Sequence, residues 1–319
     1  MPGLRILILG AGGTGGYFGG RLAQSGADVT FLVRPARAAQ LQRDGLRIRS
    51  PLGDADIRVA YTTADVLLSQ AARQPFDLVL LSCKAYDLDS SIEAIAPAVG
   101  ADTAVLPILN GLRHYDVLDA RFGADRVLGG LCVISAMKGP EGEVLHLARL
   151  ASITFGERTP GVGTSQLQAL ATLCAQAGID HLHSPRIAQE LWNKFSFLAT
   201  LAAGTCLMRA SVGRINASEG GTAFMEALHR ECLAVAEAAG QPVPPETAAT
   251  ARDTLTQAGS PLTASMLRDL ESGQPVEAAH IVGDMFHRAR AAGIDAPLLG
   301  AAWIHLQSYE SRRGEPAKP

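Results

Sequence analysis

Residues 5–20 read RILILGAGGTGGYFGG, and the order of elements in this stretch decides the fold. A short β-rich run, Arg5 to Leu9, is followed by Gly10-Ala11-Gly12-Gly13-Thr14-Gly15 and then by the helix-like GYFGGRLAQSG. A bare G-x-G-x-x-G is a weak signal, because glycine-rich turns are common. Strand, glycine turn and helix in succession give it meaning: the glycines allow a tight turn and let a pyrophosphate approach a helix N-terminus, where free amides and the helix dipole favour an anion. Dinucleotide binding is the expectation, through Gly10, Gly12, Gly13, Thr14 and Gly15.

The end of the second strand selects the cofactor. Dinucleotide folds that take NAD usually place an acid there for the ribose hydroxyls, whereas this chain has Val33-Arg34-Pro35-Ala36-Arg37, a run without a carboxylate. NADP is therefore expected, with the planar fork of Arg34 against a 2′-phosphate and Arg37 adding charge. The alternative for both arginines is a solvated loop position.

Further runs (DVTFLV, DLVLLS, TAVLPIL, RVLGGLCVIS, SITFG) are too continuously apolar to be half-exposed, and suit a mostly parallel sheet covered on both faces. GLRIRSPLGDADIRVAY alternates polar and apolar residues across a turn, which predicts an inserted, peripheral hairpin. After about Pro185 the strand signals stop, and Ala- and Leu-rich helical stretches follow. The predicted fold is α/β: a doubly wound Rossmann-type domain over residues 1–184 and an all-helical domain over 185–319, with a site in the cleft between them. The polar tail RRGEPAKP is expected to fray.

At 319 residues the chain is long enough for two cores. A formal charge of -3 gives no pull toward nucleic acid or anionic membrane, so neither is an expected partner. Five scattered cysteines among apolar residues suit reduced core thiols. With no signal-peptide pattern and no uninterrupted membrane-length apolar run, a cytoplasmic protein is expected. His181 and His183 are read as ordinary histidines, and no metal is predicted.

One charge sits where a core stripe is expected. In QELWNKFSFLATLAAGTC (residues 189–206), a helix would set Lys194 beside Phe197 and Leu198, with Leu201 beyond. Burial there would disfavour the ammonium and lower its pKa. The competing reading is a surface pair with Glu190, four residues earlier.

Together with the glycine loop, LSCKAYD, PILNGL, LWNKF and SMLRDLESGQPVEAAHIVG, in that order, resemble the ketopantoate reductases (2-dehydropantoate 2-reductases), over a span from Gly10 to about Pro297. The resemblance implies a helical C-terminal domain like that of 6-phosphogluconate dehydrogenases and NADPH-dependent reduction of a 2-oxo acid, most simply ketopantoate in pantothenate biosynthesis. It assigns Lys194 as general acid, with Asn110 at the nicotinamide and substrate carbonyl and Glu277 as the acidic residue of the site. Ser265 would hold the substrate carboxylate, and Lys84, Ala136, Asn110 and Glu277 would also meet the cofactor. A monomer or homodimer is expected.

The chain departs from the family's pattern on the lysine helix. Asparagines usually stand four and eight residues after the lysine; here those substrate-facing positions are Leu198 and Ala202. Three alternatives therefore stay beside ketopantoate: a more apolar 2-oxo acid, a 3-hydroxyacid dehydrogenase working oxidatively, and a regulator that binds NADP(H) without turnover.

Overall fold

The computed structural model describes residues 3–70 and 75–313. The chain forms two compact units: Met1–Leu109 with Tyr115–Ile187, and Asn110–His114 with Ala188–Pro319. Of the C-terminal run expected to fray, residues 312–319, Arg312 and Arg313 instead continue the helix Pro297–Arg313, and residues 314–319 lie outside the described residues.

Among the described residues the first unit carries ten strands: β1 (Arg5–Leu9), β2 (Asp28–Leu32), β3 (Leu46–Arg49), β4 (Ala55–Ile57), β5 (Ala60–Thr62), β6 (Leu78–Leu81), β7 (Ala104–Pro107), β8 (Gly129–Lys138), β9 (Val144–Gly156) and β10 (Asp180–His183). Five of them form a parallel sheet in the order β5-β2-β1-β6-β7. Ile6, Leu7 and Ile8 are all fully buried, as are the four residues of β6, which is why these strands read as unbroken apolar runs rather than alternations. The order reverses at β1, so the carboxyl ends of β1 and β6 flank the switch point where ligands of such sheets bind.

The remaining strands correct the single-sheet expectation. They build a second sheet, β10-β9-β3-β4, with β8 antiparallel to β9. The hairpin expected at the periphery is β3 and β4; β3 pairs in parallel with β9, so the hairpin belongs to this sheet. Alternation had marked it as two-faced without saying which strand it would join.

The helix Gly13–Gln24 lies between the two sheets, and this accounts for its surplus glycines. A Cβ at Gly19 would collide with Ile8 and Phe31 of the parallel sheet, while one at Gly20 would meet Ile48 at 2.7 Å and Leu46 at 2.9 Å, and one at Gly16 would meet Val144 at 2.7 Å. Each glycine costs the helix roughly 0.5–1 kcal/mol relative to alanine. Close packing on both sides, with Tyr17, Phe18 and Leu22 buried, offsets that cost.

The second unit is helical. Its longest helix, Ile187–Met208, contributes the buried residues Phe195, Ala199, Ala202, Ala203 and Cys206, against which Gly221–Ala238 sets Met225, Leu228 and Cys232. A Cβ on Gly204 would meet Met225 Sδ at 2.6 Å, so glycine there permits the close approach of these two helices. Glu231 crosses to the helix Pro297–Arg313 and accepts the N–H groups of Leu298 and Leu299 at 3.0 and 2.8 Å, capping its first turn. No disulfide joins any of the five cysteines, and burial pushes the Cys174, Cys206 and Cys232 thiols up to about 12. Among the described residues, no helix is long and apolar enough to cross a membrane.

Candidate active site

In the first unit, the carboxyl ends of three adjacent strands carry the sequence-predicted cofactor residues. Gly10 follows β1 with φ +87°, a conformation that disfavours any side chain, and its N–H bonds the Leu32 carbonyl at 2.9 Å. Gly12 is the N-cap of the helix Gly13–Gln24 and brings no side chain to cap it. The first-turn amides of Gly13, Thr14 and Gly15 have no acceptor within the helix, so they are available to an anion. The glycines around them differ in kind. A Cβ at Gly12 would meet nothing within 4 Å, whereas one at Gly13 would stand 2.7 Å from the Ala136 carbonyl oxygen, and one at Gly15 would collide with Ser82 Oγ. Gly13 and Gly15 are required by the protein's own packing; Gly12 keeps a side chain out of the space above the first-turn amides, which fits a pyrophosphate.

Ala136 lies where the β8–β9 register shifts, and its carbonyl backs the glycine turn through Gly13. Its contact with the glycine turn is thus made by the backbone.

Arg34 stands just beyond β2 and is largely exposed; its Nη2 donates to Asp87 Oδ1 at 3.0 Å. Asp87 ends the turn Ala85–Asp87 that follows Lys84 beyond β6, and its N–H bonds the Lys84 carbonyl at 2.9 Å. This ion pair brings Arg34 and the Lys84 turn together. It also supplies the carboxylate that the Arg34–Arg37 run lacks, which sequence reading missed because 53 residues separate the partners. An exposed pair of this kind is worth about 0–1 kcal/mol, so Arg34 can exchange Asp87 for a phosphate at little cost. Arg37 has another occupation: Nη2 donates to the Ala11 carbonyl at 2.8 Å and Nη1 to Gln40 at 2.6 Å. Burial, then Arg47, lowers its pKa. Arg37 braces the glycine loop from behind.

In the second unit, Lys194 is half-buried on the helix Ile187–Met208, and its Nζ donates to Asn110 Oδ1 at 3.0 Å. Gly111, next to Asn110, has φ +81°, and a Cβ there would collide with the His280 carbonyl oxygen and lie 3.9 Å from Phe195. The Asn110-Gly111 turn is therefore packed against both the residue after Lys194 and the turn Ala278–His280. Glu277 caps that turn: it is 7% exposed, and its carbonyl accepts from His280 and Ile281 at 3.1 and 3.2 Å. Asn110, Lys194 and the Glu277 turn, drawn from three distant parts of the sequence, thus converge. An ammonium held by an amide oxygen, beside a turn carrying a buried carboxyl group, can donate a proton and stabilise developing negative charge on oxygen.

The other sequence-predicted residues lie differently. Leu198, one turn after Lys194, is half-buried, but Ala202 is 0% exposed and presents no surface to a ligand. Ser265 opens the helix Ser265–Glu271, and the Ala264 N–H before it is tied to Thr205 Oγ1 at 3.4 Å, toward the far end of the lysine helix. This tie anchors it three turns beyond Lys194, roughly 16 Å along the axis at backbone level. His181 and His183 both face the Phe155 ring, with centroids at 6.2 and 5.8 Å. Arg288 lies over the Trp192 ring at 5.6 Å and donates to Asp284, four residues earlier on the same helix, at 3.0 Å.

Comparison with known proteins identifies what the chain is similar to. The family profile described as "Ketopantoate reductase PanE/ApbA" matches residues 6–160, and "Ketopantoate reductase PanE/ApbA C terminal" matches residues 186–310. YkpB, an uncharacterized oxidoreductase of Bacillus subtilis, is 35% identical over 97% of this chain and 100% of its own length. A 2-dehydropantoate 2-reductase of Nostoc sp. is 26% identical over 97% of this chain and 96% of its own. The crystal structure of 2-dehydropantoate 2-reductase from Geobacter metallireducens superposes with a TM-score of 0.84 at 29% identity, over 96% of this chain and 99% of that one.

Proposed function

Since the chain belongs to the ketopantoate reductase family, we propose that it reduces a 2-oxo acid to the 2-hydroxy acid at the expense of NADPH, with ketopantoate the first candidate. The observation that carries this reading is the Lys194 Nζ to Asn110 Oδ1 hydrogen bond of 3.0 Å. It aims a half-buried ammonium beside Phe195, Phe197 and Leu198, where a surface lysine would have no reason to be fixed.

When bound, NADPH supplies the hydride. The Gly12 cradle and the amides of Gly13, Thr14 and Gly15 hold the pyrophosphate, while Arg34 and Lys84 take the phosphorylated ribose. Lys194 donates its proton to the substrate's carbonyl oxygen as negative charge develops there, and recovers one from water afterwards. Asn110 fixes the direction of the ammonium by accepting one of its three N–H bonds, and Glu277 orients the same ammonium or accepts from the new hydroxyl.

Leu198 favours a second reading within the same chemistry. An apolar side chain one turn from the acid, where relatives usually have an amide, suits a 2-oxo acid with an apolar tail. The test is a panel of 2-oxo acids assayed with NADPH and with NADH. NADPH-dependent turnover of at least one supports the proposal, and its kcat/KM ranking chooses between ketopantoate and apolar substrates. NADPH binding without turnover of any would indicate the regulator.

A further inference from the structure

Two consecutive residues of the helix Pro297–Arg313 grip the segment that leads into Glu277. The Val276 N–H donates to Glu310 Oε1 at 2.8 Å, and the Tyr309 hydroxyl donates to the Gln274 carbonyl at 2.7 Å. Arg313 donates to the other carboxylate oxygen of Glu310 through Nε at 3.0 Å and Nη2 at 2.9 Å, which steadies the acceptor. Between the two gripped residues stands Pro275, which has no N–H and a restricted φ. Fixing Gln274 and Val276 therefore fixes the whole approach to Glu277. The upstream end is held as well, by the Gln274 N–H on the Asp269 carbonyl at 2.8 Å. Burial and the adjacent Glu310 raise the Tyr309 phenol above its ordinary range, so the hydroxyl remains a donor.

We propose that Glu310 and Tyr309 are positioning residues: a clamp on residues 274–276 that sets the Glu277 backbone beside the Lys194–Asn110 pair. The proposal rests on the reading of Glu277 as a member of the active site. Neither clamp residue need touch substrate or cofactor. Displacements of about 1 Å in a catalytic group can cost on the order of a hundredfold in rate. A buried carboxyl group one residue from its tether is exposed to displacements of that size when the tether is cut.

A merely structural bond between helix and loop would change stability alone, so the test uses a cycle. Measured would be kcat and KM for wild type, Glu310→Ala, Glu310→Gln and Tyr309→Phe, each also combined with Glu277→Ala, together with hydrogen exchange at the Val276 amide. Glu310→Ala and Tyr309→Phe should lower kcat by about tenfold or more. Glu310→Gln, which keeps an acceptor oxygen, should recover most of the loss, and neither clamp variant should lower kcat further once Glu277 is Ala. Unchanged kcat, or equal fold losses with and without Glu277, would overturn the clamp. Should wild type reduce no 2-oxo acid, the proposed function fails instead, and exchange at Val276 decides the clamp: faster in Glu310→Ala supports it, unchanged overturns it. Tyr309→Phe removes one hydroxyl and carries the same test if Glu310→Ala does not fold.

Discussion

Gly12→Ala should separate cofactor binding from folding. The added methyl meets nothing within 4 Å in the protein, and Gly12 has φ −89° and ψ −155°, which alanine can adopt. Loss of glycine's preference over alanine at an N-cap costs roughly 0.5–1 kcal/mol, and the smaller entropy of the unfolded chain returns about 0.4–1 kcal/mol. Thermal stability should therefore stay within about 1 kcal/mol of wild type. The same methyl would occupy the space above the first-turn amides, where a pyrophosphate oxygen must come within hydrogen-bonding distance. Displacing that oxygen loses at least one charge-assisted bond of about 1.5–3 kcal/mol. Affinity for NADPH should fall roughly ten- to a hundredfold. Gly13→Ala is the control: its methyl would stand 2.7 Å from the Ala136 carbonyl oxygen and 2.9 Å from Met137 Cα, both backbone, so it should destabilise the unliganded protein by about 1–3 kcal/mol. The assays are calorimetric titration with NADPH and thermal unfolding without it. Wild-type NADPH affinity in a folded Gly12→Ala variant would refute the reasoning.

Three further outcomes are expected. Arg34→Ala should weaken NADPH by on the order of 1–3 kcal/mol and leave NADH nearly unchanged, whereas Asp87→Ala, which frees Arg34, should tighten NADPH slightly; equal losses of both cofactors in titrations of Arg34→Ala would show that it does not read the 2′-phosphate. Leu198→Asn should shift the kcat/KM ratio toward ketopantoate, against a 2-oxo acid of matched size lacking the hydroxyl, by the worth of one hydrogen bond, about 0.5–1.5 kcal/mol; Ala202→Asn, at a fully buried position, should instead lower the melting temperature. His229 has its pKa lowered from 6.5 by burial first and Arg252 second, so the unfolded chain binds the extra proton and stability is lost as pH falls through about 6.5; His229→Gln should flatten that slope in urea titrations at several pH values.

The parallel sheet was legible because burial on both faces demands unbroken apolar runs, and Ile6-Leu7-Ile8 and Leu78–Leu81 show nothing else. Lys194 was legible for the converse reason, a charge on a stripe otherwise apolar. The second sheet was not, because the alternation in β3 says that one face is buried without saying that β9 is its neighbour. Gly16, Gly19 and Gly20 were visible only as a surplus; their cause is a helix caught between two sheets, which no local pattern encodes. Asp87 facing Arg34, Glu231 on Leu298 and Leu299, and Glu310 on Val276 share one property. Each is a carboxylate reaching a partner more than 30 residues away, and its sequence neighbourhood looks like that of any solvated acid. The family's asparagine pattern placed Ala202 on the substrate-facing side, and packing within the helical core leaves it 0% exposed.

The central claim is that Lys194 delivers the proton during reduction of a 2-oxo acid by NADPH. The most direct measurement is single-turnover oxidation of bound NADPH by the best substrate of the panel, in wild type and Lys194→Ala, across a range of pH. The account predicts a loss of roughly two to four orders of magnitude in Lys194→Ala with NADPH affinity retained, and a wild-type rate that declines as rising pH deprotonates the lysine. A Lys194→Ala enzyme that oxidises NADPH at the wild-type rate, with the same pH profile, would contradict it.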